Sequence, residues 1–149
     1  MKRSLRRVCL AGVLCLLLAP MLAPAAAAGL ARQDYLLHCA GCHQADGSGS
    51  PRNGIPNMKG VVGRFLHLPE GRAFLVQVPG TSQAALDNAR IAELLNWMLV
   101  QFSAKEIPPG FEPYTTAEVG RYRSAPLDDV AARRKSVADR LKQMGNPVD

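Results

Sequence analysis

The chain has 149 residues, 18 of them basic and 12 acidic, so its formal net charge is +6. Four basic residues and no acidic one fall within the first seven positions, and without them the charge is only +2. The basic pI is therefore weak support for a nucleic-acid-binding protein, and the roughly 120 residues after the amino-terminal segment suit a single domain.

The first 28 residues have the pattern of a secretory signal peptide. A basic start precedes an apolar run from Val8 to Ala19 and a small-residue stretch, Ala25 to Ala28, that suits cleavage. A membrane anchor is the alternative, but Pro20 and Pro24 interrupt an apolar run that is short for a bilayer span. We therefore predict a signal peptide at 1–28, secretion across the inner membrane into the periplasm, and no membrane span after cleavage.

A first helix is predicted from Leu30 to His38. We expect Tyr35, Leu36 and Leu37 to be its buried residues. This helix leads directly into the most specific pattern of the chain.

That pattern is Cys39-Ala40-Gly41-Cys42-His43. Two cysteines three positions apart on one helical turn present both sulfurs to the vinyl groups on one porphyrin edge, and the imidazole of His43 falls beneath the iron. This spacing is typical of covalent attachment of a c-type haem. Cys9 and Cys15 leave with the signal peptide, so one haem would use both remaining thiols.

Two other chemistries use a C-x-x-C pair. Half of a tetrahedral zinc site needs a second ligand pair, but His38 belongs to the same segment and His67 stands alone. A thioredoxin-like dithiol needs a βαβ setting, which the surrounding sequence lacks. Both interpretations are less favoured than haem.

Loops and one clear helix follow the motif. Residues 46–51 and 53–56 are loops by composition, as expected where backbone wraps a flat cofactor. From Leu86 to Phe102 apolar residues recur at helical spacing, and Asp87 lies near the start, where negative charge suits the helix dipole. We interpret the apolar side of this helix as core, formed by Leu86, Ile91, Leu94, Leu95, Met98 and Phe102.

The tail beyond residue 102 is richer in charge. Thr115 and Glu118 have the spacing of a capping box and predict a helix to about Arg123. Asp128 and Asp129 begin another helix, whose narrow apolar stripe predicts weak docking. The basic residues of that helix suggest either attraction of an acidic redox partner or a solvated surface; they are Arg133, Arg134, Lys135, Arg140 and Lys142.

Over about Ala31 to Phe102 the chain resembles the class I monohaem cytochromes c. Besides the haem motif, Ile55–Arg64 is similar to the family segment G-P-N-L-x-G-x-x-G-R, and Trp97 matches the aromatic residue of the last family helix, which crosses the first. The resemblance implies a mostly α fold: a class I cytochrome c-like domain at 29–102 with helices around one covalent haem, and an extra helical tail at 103–149.

The resemblance also implies roles for single residues. Cys39 and Cys42 would bind the haem, and His43 would be the proximal ligand of its iron. The carbonyl of Pro56 would accept the second N–H of that imidazole and orient it, which is how outer groups fix a ligand tautomer. Arg64 would lie near a haem propionate.

The sixth iron ligand is where the chain departs from the family. Class I members present a methionine followed by proline before the last helix, whereas this chain has Val78, which cannot bind iron. Met58, His67 and Met98 are the candidate replacements. Met58 falls at the family's proximal leucine, and Met98 lies in an apolar stripe. An iron without a protein sixth ligand is the remaining possibility.

We therefore predict a periplasmic electron-transfer cytochrome c, an electron carrier and not an enzyme. Segments 71–80 and 94–97 look like those of small bacterial cytochromes that accompany periplasmic dehydrogenases, which implies such a donor, and a terminal oxidase or another cytochrome as acceptor. The alternatives are a haem protein with an open sixth site that binds ligands or reacts with peroxide, and a fixed cytochrome subunit of a dehydrogenase complex. No nucleic-acid partner is expected.

Overall fold

A computed structural model of the chain describes residues 23–148. Within them the chain is helical and without β-strands, with one isolated bridge between Ser50 and Ile55. The α-helices are α1 (Ala23–His38), α2 (Ala40–His43), α3 (Pro69–Gln77), α4 (Pro79–Ser82), α5 (Asn88–Ser103), α6 (Thr116–Arg123) and α7 (Val130–Gln143). Three short 3₁₀ helices span Pro51–Asn53, Val62–His67 and Ala104–Glu106. The expectation of a mostly α protein is confirmed.

The predicted signal peptide at 1–28 falls mainly on residues 1–22, which lie outside the described residues, and it stays a prediction. In the part that the structure describes, none of the helices has the length and apolar character needed to cross a membrane.

Helices α1 and α5 pack against each other through aromatic rings. Tyr35 of α1 is fully buried, and its ring centroid lies 5.5 Å from that of Trp97 and 5.0 Å from that of Phe102, both on α5. The buried carboxylate of Asp34 pairs with Arg90 of α5, whose Nε donates to Oδ2 at 3.0 Å. The family resemblance predicts an aromatic contact of Trp97 with the first helix, and the contact between Trp97 on α5 and Tyr35 on α1 is present.

Two of the three residues expected to be buried on α1 are exposed. Leu36 is 37% and Leu37 78% exposed, so that prediction was wrong for both. Ala31, Asp34 and Tyr35 are the residues that α1 buries, at positions i, i+3 and i+4. These three share one side of the helix, which turns the next two residues away from α5.

Helix α5 buries more residues than any other helix that the structure describes, and the predicted core residues Ile91, Leu94, Leu95 and Met98 are among them. Leu86 is buried just before the helix, and Phe102 is only partly buried. The helix begins after Asp87, whose side chain caps it by accepting from the backbone N–H of Arg90 at 2.8 Å. Its buried residues recur at helical spacing; they are Ile91, Ala92, Leu94, Leu95, Met98, Leu99 and Ser103.

The tail is more firmly docked than its narrow apolar stripe suggests. Val119 of α6 and both Val137 and Leu141 of α7 are fully buried in the same core cluster as the buried residues of α5. The predicted cap of α6 is present, because Thr115 accepts from the N–H of Glu118 at 3.2 Å. Fully buried aliphatic side chains each stabilise a fold by about 1.5–3 kcal/mol, so the expectation of weak docking was wrong. The domain boundaries at 29–102 and 103–149 stay a prediction.

Candidate haem-attachment site

The two cysteines of the motif lie on one tight turn. Cys39 precedes α2, and its carbonyl accepts from the N–H of Cys42 at 3.2 Å and from the N–H of His43 at 3.0 Å. Both cysteines are free thiols; Cys42 is exposed and Cys39 is partly buried. The helix therefore brings two thiols and an imidazole to one short stretch of surface.

The Cys39 thiol stays protonated at neutral pH. Burial, assisted by the negative charge of Asp34, raises its pKa to about 11. A redox-active C-x-x-C pair needs the opposite, a thiol whose pKa is lowered so that a reactive thiolate forms. The electrostatics thus argue against the thioredoxin-like alternative.

The imidazole of His43 is oriented by the loop that follows it. Its Nδ1 lies 3.3 Å from the carbonyl oxygen of Pro56. A carbonyl can only accept, so Nδ1 must carry the proton, and the neutral ring then has its lone pair on Nε2. This is the contact that the family resemblance implies, and it leaves Nε2 as the atom available to a metal.

The backbone of that loop is tightly folded around the Pro56 carbonyl. Gly49 has a φ of +67°, and a Cβ at that position would lie 2.3 Å from the Pro56 oxygen. Its N–H donates to the carbonyl of His43 at 2.9 Å. Glycine is required here for both its φ and its lack of a side chain, since a side chain would displace the acceptor of the histidine N–H.

An ion pair on the surface of the same loop holds its two sides together. The Nζ of Lys59 donates to Oδ2 of Asp46 at 2.9 Å, and the N–H of Ser48 donates to Oδ1 at 3.0 Å. The hydrogen bond from Lys59 is the main reason that the pKa of Asp46 lies well below its ordinary value. The two opposite charges cancel, so this pair adds no net charge to the loop around the motif.

The other predicted site residues lie in different surroundings. Met58 and Met98 are both 8% exposed in the hydrophobic core, and Val78 is partly buried at the junction of α3 and α4. The Nε2 of His67 lies 3.1 Å from the carbonyl of Glu106. The guanidinium of Arg64 donates from Nη1 to the carbonyl of Pro147 at 2.5 Å, in the tail.

Sequence reasoning missed how the backbone after the motif is held. Gln44 has a φ of +64° although it is not glycine, and the hydroxyl of Tyr35 donates to its carbonyl at 2.6 Å. The sequence shows Tyr35 only as an apolar helix residue. No signal in the chain marks Gln44, because residues with positive φ are usually read from glycine or asparagine.

The donor set suits a c-type haem. Two thiols on one turn and an imidazole with a free Nε2 are the groups that covalent attachment and axial ligation use. Among residues 23–148, no group of three or more His, Cys, Asp or Glu side chains is arranged to hold a bare metal ion. Cys39, Cys42 and His43 would hold the haem, and Pro56 would orient the histidine.

The fold and this donor set define a small helical protein of the c-type haem class. The chain is similar to cytochrome c-552 of Thermus thermophilus, with 31% identity over 119 residues, covering 66% of this chain and 90% of that protein. It is equally similar, at 31% over 119 residues, to a second Thermus thermophilus cytochrome c-552, of which it covers 80%. No family model matches the chain, and no solved structure matches it. The chain belongs to the cytochromes c.

Family membership confirms the predicted class I cytochrome c fold. It also supports the coarser part of the predicted function, an electron carrier that binds haem c.

Proposed function

We propose that this protein is a periplasmic electron-transfer cytochrome with one covalent haem, attached through Cys39 and Cys42 and ligated on one side by His43. The observation that carries the proposal is the contact between His43 Nδ1 and the Pro56 carbonyl oxygen, 3.3 Å apart. His43 lies on the same helical turn as the two free thiols. A thiol pair without an oriented imidazole would fit several chemistries; the three groups together favour haem.

The protein's part is attachment, orientation and burial, while the bound haem supplies one-electron redox chemistry at its iron. Cys39 and Cys42 would fix the porphyrin edge through two thioether bonds. Pro56 holds the imidazole proton on Nδ1 and increases the basicity of Nε2. An electron-rich ligand stabilises the oxidised iron and so lowers the reduction potential.

Secretion into the periplasm is part of the proposal, because it rests on the basic start, apolar run and small-residue flank of residues 1–28. A periplasmic dehydrogenase as donor, and a terminal oxidase or another cytochrome as acceptor, follow from the resemblance of segments 71–80 and 94–97. An electron shuttle needs only a brief and modest contact with each partner.

A second candidate function is favoured by Val78, which lies where the family presents its methionine ligand. An iron without a sixth protein ligand would bind small molecules or react with peroxide. High-spin ferric spectra and rapid carbon monoxide binding by the ferrous form would favour this alternative. A sulfur-to-iron charge-transfer band that is lost in Met58→Ala or Met98→Ala, but kept in the exposed Met144→Ala, would exclude it.

We expect the haem to remain bound to wild-type protein after denaturation and to be lost when both thiols are removed. The test is haem staining of denatured protein exported in a strain that matures c-type cytochromes, comparing wild type with Cys39→Ala/Cys42→Ala. Thioether bonds survive denaturation, whereas axial ligation does not. Covalent haem in the double variant would contradict the proposal.

The matched control is His43→Ala, which keeps both thiols. We expect covalent haem in this variant, with an altered absorption spectrum because the proximal imidazole is missing. A spectrum identical to that of wild type would show that His43 is not the ligand.

A further inference from the structure

The residue directly after the proposed iron ligand has an unusual backbone conformation. Gln44 has φ +64° and ψ 158°, and within residues 23–148 it is the single non-glycine residue with positive φ. This region of backbone space is populated almost only by glycine. A glutamine persists there only where the surrounding structure holds it.

Three hydrogen bonds hold the backbone N–H and carbonyl of Gln44. Its N–H donates to the carbonyl of Ala40 at 2.9 Å, which closes α2. Its carbonyl accepts from the hydroxyl of Tyr35 at 2.6 Å and from the N–H of Gly47 at 3.2 Å. The hydroxyl makes the shortest of these bonds, and it comes from a different helix.

Tyr35 is itself fixed in place. Its side chain is fully buried, and its ring packs against those of Trp97 and Phe102. Phe102 also covers the loop, because a Cβ on Gly47 would lie 3.0 Å from its ring. Burial raises the pKa of Tyr35 to about 12, so the hydroxyl remains a donor across the physiological range.

We propose that Tyr35 is a positioning residue: by holding the Gln44 carbonyl, it fixes the backbone conformation of Gln44, the residue after His43, and thereby the direction of the His43 imidazole towards haem. This inference rests on the proposed function. Without the hydroxyl, the Gln44 carbonyl keeps only the longer bond from the N–H of Gly47, and the backbone of Gln44 can relax towards an ordinary conformation. The imidazole then moves relative to the Pro56 carbonyl, and the Nδ1 hydrogen bond that makes the ligand basic is weakened.

The test is the reduction potential of the haem-bearing protein with Tyr35→Phe, which removes one oxygen atom and keeps the ring. We expect a higher potential, corresponding to a severalfold change in the redox equilibrium constant against a fixed mediator, and faster amide exchange at Gly47. Covalent haem content should be unchanged, because both cysteines are present.

Tyr114→Phe is the matched control. Tyr114 is 3% exposed, and its hydroxyl also donates to a backbone carbonyl, that of Arg72, at 2.8 Å. This variant loses the same kind of bond in a different part of the core. We expect no change in potential; a shift equal to that of Tyr35→Phe would overturn the proposal, because it would reflect general loosening.

Gln44→Gly provides a rescue. Glycine adopts φ +64° without strain, so the Tyr35→Phe/Gln44→Gly protein should regain the wild-type potential and Gly47 exchange rate. Failure of this rescue, or a wild-type potential in Tyr35→Phe alone, would overturn the positioning role. If Tyr35→Phe does not accumulate, recovery of haem-bearing protein in the double variant supports the proposal and its absence contradicts it.

Failure of this inference is distinguishable from failure of the proposed function. Wild-type protein without covalent haem contradicts the proposed function itself. Wild-type protein with covalent haem, together with an unchanged potential in Tyr35→Phe, contradicts only the role of Tyr35.

Discussion

At the scale of single residues, the proposed haem site depends on backbone atoms as much as on side chains. The Pro56 carbonyl orients His43, and the fold can bring that carbonyl close only because Gly49 has no side chain. The C-x-x-C-H motif is readable from the sequence because its members are neighbours. The contact from His43 to Pro56 was implied by family resemblance, since spacing alone does not show which way a loop turns.

Gly49→Ala is expected to destabilise the protein by more than about 1 kcal/mol, because alanine is strained at φ +67° and its Cβ would collide with the Pro56 oxygen. Thermal unfolding of the haem-bearing protein measures the change. We also expect an altered haem spectrum, since the acceptor of the His43 N–H is displaced.

Gly80→Ala is the control for that substitution. Gly80 lies in α4, has no positive φ, and has open space where a Cβ would be. We expect little change in stability or spectrum. Equal effects of the two substitutions would show that the collision with Pro56 is not the cause.

At the scale of elements, polar contacts join the tail to α3 and α5. Arg72 of α3 makes two hydrogen bonds to the carboxylate of Glu118 on α6, at 2.6 and 2.7 Å, with its guanidinium 4.1 Å from the ring centroid of Tyr114. Asn96 of α5 accepts from the N–H of Tyr114 and donates to its carbonyl. Arg72 thus holds the tail against α3 through Glu118 and Tyr114.

Arg123, at the end of α6 in the tail, holds the segment before α5. The guanidinium of Arg123 donates to the carbonyls of Ser82, Ala84 and Leu86 and to the side chain of Asn88. These acceptors lie 35 or more positions away along the chain. Sequence reasoning places Arg123 only at the end of a helix, and the bonds themselves depend on tertiary packing.

We expect Glu118→Gln to destabilise the protein by about 1–3 kcal/mol at pH 7, because both carboxylate bonds to Arg72 are charge-assisted and the two side chains are mostly buried. The hydrogen bonds from Arg72 are the main cause that lowers the pKa of Glu118. The carboxylate's contribution to the free energy of unfolding is therefore present above its ordinary pKa of about 4.3. It is lost as pH falls through the lower pKa of the folded state.

The measurement is urea unfolding of wild type and Glu118→Gln from pH 7 down to the acid limit of folding. The difference in unfolding free energy should stay constant to about pH 5 and shrink at lower pH. Asp139→Asn is the control, because the Asp139–Lys135 pair is exposed and such pairs contribute little. A difference that grows on acidification would contradict the assignment.

At the scale of the whole molecule, the tail and the haem-binding part share one core. Val119, Val137 and Leu141 are fully buried in the same cluster as Ile91 and Leu99 of α5. Single domains with one shared core usually unfold in one cooperative transition.

We therefore expect one transition in urea, with the same midpoint by far-ultraviolet circular dichroism, which reports all helices, and by haem absorbance, which reports the site. In Glu118→Gln both midpoints should fall together. An early loss of helix signal with unchanged haem absorbance would show that the tail unfolds independently.

The sequence by itself determined the features that depend on neighbouring residues. Cys39, Cys42 and His43 define the proposed attachment chemistry within five positions, and the helix caps at Asp87, Thr115 and Asp129 lie within three residues of the N–H groups they accept from. Helical periodicity also identified the core side of α5. These signals involve residues close together in the chain, so the order of residues is enough to predict them.

The tertiary structure decided what depends on residues far apart in the chain. It joins Arg64 to Pro147, Arg72 to Glu118, and buried Tyr35 to the strained peptide at Gln44. It also turns Leu36 and Leu37 outward, because packing against α5 selects one side of α1. Which helix face is buried and which carbonyl a distant side chain meets are set by the whole fold, so they cannot be read from spacing.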